Sequence, residues 1–403
     1  MYKTDFLVIG GGIIGISIAR ELKKRYCDST VTLIDKESKC ATHASGRNSG
    51  VLHAGFYYTA DSLKAAFTRD GNRELTAYCE KKKIPINRCG KLVVAKNEQE
   101  LLGLDELLKR AKLNNVSLED ISAEEARLIE PRVITHQRAL FSPTTSSVNP
   151  LQVVQRLESD ARDEGINFHY NVCYLSQKGN DILSNNDDYQ AGYVVNAAGL
   201  YADKVARDFG FSQQYRILPF KGLYLYSDEP VGKFKTNIYP VPDMQNPFLG
   251  VHFTLGSDKQ VKIGPTAIPA FWREHYSGLT NFQLSEFVEI IGRELGLLAF
   301  SKFGFRKLAL DEMRKYSRQY MVTLASELAT NIKIENFKKW GRPGIRAQLV
   351  DIHHRKLEMD FVIEGDNKSM HILNAVSPAF TCSFPFARYV CDQIQYKLDG
   401  RQD

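Results

Sequence analysis

The sequence lacks the patterns that mark several classes of protein. Its seven cysteines form no Cys-x-x-Cys pair, which argues against a disulfide framework and against a zinc site, so we expect no metal. Lysine and arginine (53) exceed aspartate and glutamate (47) only slightly, and nucleic acid is therefore not an expected partner. With 43% hydrophobic and 25% charged residues over 403 positions, the chain is globular and long enough for two or three domains.

Long apolar runs are also missing. The uncharged stretch from Phe6 to Ala19 is shorter than the ~20 residues that span a bilayer, and Asp5 precedes it, where a secretion signal requires positive charge. We therefore expect no export and no transmembrane helix, but a cytoplasmic protein with reduced cysteines. The slight excess of positive charge is compatible with an anionic substrate or with peripheral contact at the inner face of a membrane.

A glycine-rich turn stands between a predicted strand, which ends at Ile9, and a predicted helix. In its Gly-x-Gly-x-x-Gly pattern, Gly10 permits the tight turn, Gly12 lets the backbone approach a pyrophosphate, and Gly15 brings helix and strand together. Asp35 ends the next predicted strand and is placed to accept hydrogen bonds from a ribose. This arrangement predicts a bound dinucleotide.

Two later segments favour FAD over NAD. Residues 42–55 form a small, polar, glycine-rich stretch that offers many backbone N–H groups to a cofactor. Residues 193–199 form another apolar strand that ends in small residues. A chain that returns to the nucleotide-binding domain after a long excursion is typical of an extended FAD-binding site.

Seven segments carry a resemblance to a known family: 45–58 (SGRNSGVLHAGFYY), 89–92 (CGKL), 195–200 (VNAAGL), 238–242 (IYPVP), 249–254 (LGVHFT), 344–348 (GIRAQ) and 374–379 (NAVSPA). From about residue 4 to about residue 395, the chain resembles the L-2-hydroxyglutarate dehydrogenase (oxidase) family. That family belongs to the FAD-dependent oxidoreductases that include D-amino-acid oxidase and glycine oxidase. The resemblance implies FAD, oxidation of a 2-hydroxy acid to a 2-oxo acid, and electrons passed to a quinone or to oxygen.

The fold class expected from these observations is α/β, with a Rossmann-like FAD-binding domain and a second, mixed-sheet α+β substrate domain. The FAD-binding domain is predicted over 1–80, 148–210 and 341–403, and the substrate domain over 81–147 and 211–340. Helical spacing also predicts a helix over 98–112 and a helical region over 282–329. The residues expected to contact FAD are Gly10, Gly12, Ile13, Ile14, Gly15, Asp35, Lys36, Ser45, Gly46, Arg47, Asn48, Ser49, Val172, Ala198, Gly199, Ser377, Pro378 and Ala379.

Oxidation of a 2-hydroxy acid needs a base for the hydroxyl proton, and a neutral imidazole suits this task. His53 is the first candidate, because it stands among apolar residues inside the glycine-rich cofactor segment. His252, on a predicted strand, is the alternative. His353, His354 and His371 lie in polar stretches and are predicted to be surface residues.

A substrate with two carboxylates also needs cations, for which arginine is preferred. Arg346 lies on a segment that returns to the flavin and is the predicted carboxylate anchor. Lys221 stands where the relatives usually carry arginine, so the identity of the acid stays open. The remaining residues predicted to contact substrate are Tyr57, Tyr239 and Thr254.

Three alternatives remain open from the sequence. The chain could oxidise an amino acid or glycerol 3-phosphate, or it could bind FAD without catalysis.

A basic segment, 300–321, contains Lys302, Arg306, Lys307, Arg314, Lys315 and Arg318 among aromatic residues. This segment is either a solvated helix or a membrane-surface patch through which the flavin reaches quinone.

Overall fold

The computed structural model describes residues 1–242, 250–300 and 305–400. By its internal contacts the chain divides into two compact units. The first unit comprises Met1–Asn48, Pro150–Pro219 and Arg346–Asp403, and the second comprises Ser49–Asn149 and Phe220–Ile345. Among the described residues, no helix combines the length and apolar character needed to cross a membrane.

The strands of the described residues are β1 (Tyr2–Ile9), β2 (Val31–Asp35), β3 (Val51–Leu52), β4 (Ile86–Asn87), β5 (Lys91–Val94), β6 (Glu119–Ser122), β7 (Arg138–Ser142), β8 (Ser146–Val148), β9 (Asn167–Tyr170), β10 (Tyr174–Lys178), β11 (Asp181–Ser184), β12 (Tyr189–Asn196), β13 (Tyr215–Gly222), β14 (Leu225–Tyr226), β15 (Asn237–Pro240), β16 (His252–Leu255), β17 (Val261–Gly264), β18 (Ile268–Pro269), β19 (Lys339–Trp340), β20 (Gly344–Asp351), β21 (Lys356–Leu357), β22 (Ile363–Gly365) and β23 (Ser369–Ile372).

The α-helices of the described residues are α1 (Ile13–Arg25), α2 (Leu63–Lys81), α3 (Glu98–Leu113), α4 (Ala123–Ile129), α5 (Pro150–Asp163), α6 (Ala202–Asp208), α7 (Leu284–Phe300), α8 (Phe305–Arg314), α9 (Arg318–Ser326) and α10 (Ala379–Leu398).

In the first unit, strands β23, β12, β1, β2 and β9 pair in parallel, and β11, β10 and β22 extend the sheet by antiparallel pairing. Apolar residues such as Leu7, Ile34 and Val194 form a buried cluster on this sheet. Helix α1 buries its apolar face and packs against α10, where Cys391 Sγ lies 3.9 Å from the carbonyl oxygen of Ile18. A mostly parallel sheet with such helices confirms the predicted Rossmann-like class.

In the second unit, an eight-stranded mixed sheet has the order β19-β14-β17-β16-β15-β5-β7-β6. Strands β15 and β5 pair in parallel, and the other neighbours in this order pair antiparallel. A three-stranded sheet, β3-β8-β4, lies in the same unit. This mixed sheet with helices confirms the α+β class predicted for the second domain.

The segment 49–80 belongs to the second unit and not, as predicted from the sequence, to the FAD-binding domain. The reason is strand pairing, since Val51 and Leu52 of β3 pair with Ser147 and Ser146 of β8. Asn72 of α2 reinforces this pairing, because its side-chain amide donates a hydrogen bond to the carbonyl oxygen of Leu52 at 3.0 Å.

Helix α3 occupies the predicted range, and Asn97 caps its start by accepting a hydrogen bond from the N–H of Glu100. The predicted helical region 282–329 contains α7, α8 and α9, and residues 315–317 separate α8 from α9. A new helix starts after Ser317, whose hydroxyl accepts a hydrogen bond from the N–H of Tyr320 at 3.3 Å. An N-cap of this kind fixes a helix start where apolar periodicity alone shows none.

Candidate nucleotide-binding turn and active site

The glycine turn of the first unit joins β1 to α1. A Cβ atom at Gly10 would lie 2.4 Å from the carbonyl oxygen of Ala197, and one at Gly15 would lie 2.0 Å from the carbonyl oxygen of Gly10. The packing of the protein itself therefore demands glycine at both positions. A Cβ at Gly12 would meet only Ser45 Oγ among the described residues, at 3.0 Å. Glycine at this position is better explained by a ligand that lies close to the backbone.

The start of α1 suits an anionic group. Gly12 precedes the helix without a side-chain cap, and the first turn contains no acidic residue. The N–H groups of a first helical turn have no partner within the helix and attract phosphate. One of them, that of Ile13, donates a hydrogen bond to Ser45 Oγ at 2.9 Å, and this bond ties the predicted cofactor segment to the turn. Ile14, also a predicted contact, is buried in the helix.

Asp35 lies at the end of β2, as the ribose assignment requires. Its Oδ2 accepts a hydrogen bond from the N–H of Gly11 at 2.5 Å, and its Oδ1 accepts one from the N–H of Glu37 at 2.8 Å. Burial raises the pKa of this carboxyl group, and the two backbone bonds oppose that rise. The neighbouring Lys36 pairs with Glu37 at 2.9 Å.

The segment after β2 is fixed by its own hydrogen bonds. The side-chain amide of Asn48 donates to the carbonyl oxygen of Ser45 at 2.8 Å, and Arg47 donates to that of Thr42 at 2.7 Å. A Cβ at Gly46 would lie 2.1 Å from the carbonyl oxygen of Ala41, so the segment folds closely on itself. Ser49 belongs to the second unit, where its carbonyl oxygen accepts a hydrogen bond from Lys262 at 3.2 Å.

The returning segments of the first unit end at the same edge of the sheet as the glycine turn. Strand β12 is parallel to β1, and the N–H of Ala197 donates to the carbonyl oxygen of Ile9 at 2.9 Å. Buried Val172 donates its N–H to the carbonyl oxygen of Asp35 at 2.9 Å. The carboxyl edge of a parallel sheet is where nucleotides bind. Five predicted contacts flank helix starts: Ala198 and Gly199 precede α6, and Ser377-Pro378-Ala379 leads into α10.

In the second unit, one face of the mixed sheet carries polar side chains. Tyr239 and His252 share this face, because their rings stack with centroids 3.7 Å apart. Thr254 lies two residues beyond His252 on β16, and Lys262 on β17 is directly opposite Thr254. Lys91 on β5 reaches the same face, since its Nζ lies 4.4 Å from the centre of the Tyr239 ring. All five side chains are buried to 7% exposure or less.

The opposite face of these strands is apolar. The intervening residues Leu92, Ile238, Phe253 and Ile263 belong to a buried hydrophobic cluster. Side chains alternate between the two faces of a strand, so each of these short strands places polar groups on the first face and packs into the core through the second. The polar face is therefore held rigidly by a core on its other side.

His53 follows β3 and is partly buried. Two buried amides fix the backbone around it: Asn72 binds the carbonyl oxygen of Leu52, and Asn114 binds that of Gly55 at 3.0 Å. Burial holds the pKa of His53 well below its ordinary value, and the nearby Lys91 and His252 lower it further. An imidazole that stays neutral near neutral pH can accept a proton.

His252 Nδ1 lies 2.7 Å from the carbonyl oxygen of Gly250. Because a carbonyl oxygen only accepts, Nδ1 is the donor, and a neutral ring keeps Nε2 as its acceptor. The structure thus brings both candidate histidines into the second unit and couples them electrostatically. Leu249, which the sequence motif around His252 includes, lies outside the described residues.

Two lysines on the polar face, Lys91 and Lys262, were missed as site residues. Burial lowers the pKa of Lys91 to about 7 and that of Lys262 to about 8. Lys262 Nζ lies 4.6 Å from the centre of the Tyr224 ring. The sequence feature that could have identified them is a lysine inside an otherwise apolar strand, as in Val261-Lys262-Ile263. Lysine is rarely buried without a specific role or partner.

The other predicted substrate contacts are not among the five side chains of the polar sheet face. Lys221 lies on β13, opposite Ile268 of β18, and burial lowers its pKa to about 8. Its neighbour His275 has a pKa lowered to about 4 by burial and by the charge of Lys221. Arg346 lies on β20, partly buried, where the first unit resumes. Tyr57 lies beside the ammonium group of Lys91, with its ring centre 5.0 Å from Lys91 Nζ.

The prediction that His371 is a surface residue was wrong. His371 is fully buried in β23, where Asn196 and Ser369 lie within hydrogen-bonding distance, at 3.1 and 3.0 Å. The rings of Phe209 and Phe211 lie 5.0 Å away. The polar residues that precede it in the sequence form a tight turn. Their polarity does not indicate whether the strand that follows, β23, is buried. His353 and His354 are exposed, as predicted.

Comparisons with known proteins agree with this geometry. The family described as "FAD dependent oxidoreductase" matches residues 5–393. A protein of Escherichia coli O17:K52:H18 named "L-2-hydroxyglutarate dehydrogenase" is 34% identical, over 99% of this chain and 95% of that protein. A mitochondrial protein of the same name from Homo sapiens is 32% identical, over 98% of this chain and 89% of its own length.

Solved structures show the same fold. L-alpha-glycerophosphate oxidase from Mycoplasma pneumoniae, with FAD bound, superposes with a TM-score of 0.77 at 21% identity, over 98% of this chain and 96% of that chain. Glycine oxidase from Geobacillus kaustophilus superposes with a TM-score of 0.72 at 18% identity, over 98% and 96% of the two chains.

Proposed function

Because the chain belongs to the FAD dependent oxidoreductase family, we propose that it oxidises L-2-hydroxyglutarate to 2-oxoglutarate with FAD as its cofactor. The observation that supports this substrate most strongly is the polar sheet face of the second unit, where His252 accompanies two buried lysines, and the charge of one of these, Lys91, is felt at His53. Imidazoles suit a hydroxyl proton, and cations suit carboxylates. The names of the relatives point to the same acid.

The reaction removes a proton from the C2 hydroxyl and a hydride from C2. His53 accepts the proton, since its neutral form is favoured before substrate binds. FAD supplies the two-electron acceptor for the hydride. Arg346 holds one carboxylate through paired hydrogen bonds, and Thr254 and Tyr239 line the substrate. His252 is the alternative base.

The residues of the first unit hold the cofactor. The N–H groups at the start of α1 bind its phosphates, and Asp35 accepts hydrogen bonds from its ribose. Electrons then pass to a quinone or to oxygen, with peripheral contact at the inner membrane face in the quinone case.

Anaerobic mixing of the purified holoenzyme with a panel of acids tests the substrate. L-2-hydroxyglutarate is expected to bleach the absorbance of oxidised flavin, whereas its D-enantiomer, 2-amino acids and glycerol 3-phosphate leave it unchanged. Faster bleaching by an amino acid or by glycerol 3-phosphate would replace the proposal with one of these alternatives. A flavin that none of the compounds reduces would favour a non-catalytic role.

A further inference from the structure

Lys91 is a fully buried cation whose charge is not matched by the protein around it. Its exposure is 0%, and its Nζ has no hydrogen-bond partner among the described residues. Those residues also give it no ion pair, whereas the equally buried Arg273 faces the carboxylates of Glu286 and Glu289. Ammonium groups are costly to bury unless an acceptor compensates them. Burial accordingly lowers the pKa of Lys91 to about 7.

Aromatic rings surround this ammonium group. The centres of the Tyr239, Tyr57 and Phe56 rings lie 4.4, 5.0 and 5.4 Å from Lys91 Nζ. Ring faces attract a cation, but they accept hydrogen bonds only weakly. The surroundings therefore favour a positive charge at this point without satisfying its three N–H donors.

A second polar group beside Lys91 is also unsatisfied. The hydroxyl of Tyr57 is buried and has no hydrogen-bond partner among the described residues. The residue as a whole is partly buried, whereas Lys91 is fully buried. Two neighbouring donors without an acceptor are complementary to a carboxylate, which in its ionised form only accepts.

The backbone that carries Lys91 is held in place. The fully buried Asn237 donates a hydrogen bond to the carbonyl oxygen of Gly90 at 2.7 Å and accepts one from the N–H of Leu255 at 2.9 Å. This amide thus connects β5, β15 and β16, the strands that carry Lys91, Tyr239 and His252. An anion held by Lys91 would lie beside the histidines, because the charge of Lys91 is felt at His53.

We propose that Lys91 and Tyr57 form a subsite that binds a carboxylate of the substrate. The identity of the acid rests on the proposed function. The donors of the subsite would suit a carboxylate of any small dicarboxylate. Lys91 donates through its ammonium group and Tyr57 through its hydroxyl, while the rings of Phe56 and Tyr239 exclude water from the bond.

Binding of glutarate to the oxidised holoenzyme tests this subsite without turnover, through the change in flavin absorbance. Lys91→Met is expected to weaken glutarate binding roughly 10–150-fold, the usual effect of losing a charge-assisted hydrogen bond. Tyr57→Phe keeps the ring and is expected to weaken it about 2–10-fold. Lys96→Met, at the exposed end of the same segment, is the matched control and should bind normally.

The pH dependence of the wild-type enzyme gives an independent readout. The groups facing Lys91 are His53, Tyr57, Cys89 and Tyr239, and their pKa values are shifted away from the range 6.5–8.5, downward for His53 and upward for the others. Glutarate binds the ammonium form, so its Kd should rise as pH increases through about 7. Lys91→Met should abolish that step in Kd. A second step near pH 8, which comes from Lys262, can remain in this variant.

The subsite is refuted if Lys91→Met retains FAD and binds glutarate within twofold of wild type, or if wild-type binding shows no step near pH 7. Lys91→Gln serves as a second variant should the methionine variant fail to fold. Failure of the proposed function has a different signature. In that case glutarate binds through Lys91, but L-2-hydroxyglutarate does not bleach the flavin.

Discussion

The ring of Tyr239 lies stacked on the imidazole of His252, with ring centroids 3.7 Å apart and planes inclined by 20°. A further restraint on this imidazole is the bond from its Nδ1 to the carbonyl oxygen of Gly250. Together they fix both the plane and the tautomer of His252. His53 is instead fixed through its backbone, by Asn72 and Asn114. His53 stays the proposed base, and His252 stays the alternative.

The first prediction concerns these two histidines. His53→Ala should lower kcat about 10²–10⁴-fold, because positioned proton transfer contributes that much, while FAD stays bound. The base must be neutral, and its pKa lies well below 6.5, so the acid limb of wild-type kcat/KM should appear only as pH drops through that acidic pKa. Steady-state rates between pH 4.5 and 8 measure both effects.

His252→Ala is the matched control, and it should retain the acid limb of the pH profile. The reverse result, in which His252→Ala loses turnover and His53→Ala keeps it, would exchange the two roles.

The second prediction concerns the cofactor. Gly12→Ala should lower FAD occupancy strongly while the protein folds, because the new methyl group meets only Ser45 Oγ among the described residues yet stands where a phosphate approaches the backbone. Gly292→Ala, in α7, meets nothing within 4 Å among those residues and should keep its FAD. Absorbance at 450 nm relative to 280 nm measures occupancy.

Denaturation and filtration of the wild-type protein should release the flavin as FAD, since we expect a non-covalent cofactor. Full occupancy in Gly12→Ala, or a flavin that stays with the denatured chain, would contradict this assignment.

The third prediction concerns Arg346. Arg346→Met should raise the KM for L-2-hydroxyglutarate roughly 10–150-fold, since a charge-assisted pair is worth ~1.5–3 kcal/mol. Cofactor content should not change. Arg342→Met, at an exposed position four residues earlier, provides the comparison. Steady-state kinetics decide the matter, and an unaltered KM in Arg346→Met would remove this residue from the substrate site.

The fourth prediction concerns the basic segment 300–321. Lys302 and Phe303 lie outside the described residues. Lys315 is not available for a membrane surface, because it is buried and paired with Glu312. Arg314 and Arg318 are exposed, as are Leu310 and Met313. If the segment meets a membrane, the protein should co-sediment with anionic vesicles at low salt and dissociate at high salt.

The double variant Arg314→Glu/Arg318→Glu should lose this binding, whereas Arg73→Glu/Lys81→Glu, which reverses two exposed charges on α2, should keep it. Absence of co-sedimentation by the wild-type protein would leave a solvated helix as the explanation.

The sequence determined the nucleotide-binding part of the protein, because that chemistry is local. The strand, the glycine turn, the helix and Asp35 occupy one continuous segment, and backbone geometry dictates glycine at Gly10 and Gly15. Helix α3 was predicted for the same reason, since its periodicity and its cap lie within one short range. The family resemblance added FAD and the class of substrate.

Only the tertiary structure brought the polar sheet face together. Lys91, Tyr239, His252 and Lys262 are scattered over the sequence, and they meet because strand register places them on one face. Burial then changes their chemistry, by lowering the pKa of the lysines and of His53. Burial also revealed His371 as a core residue. Composition and spacing record which groups are present, but register and burial decide which of them meet and which are charged.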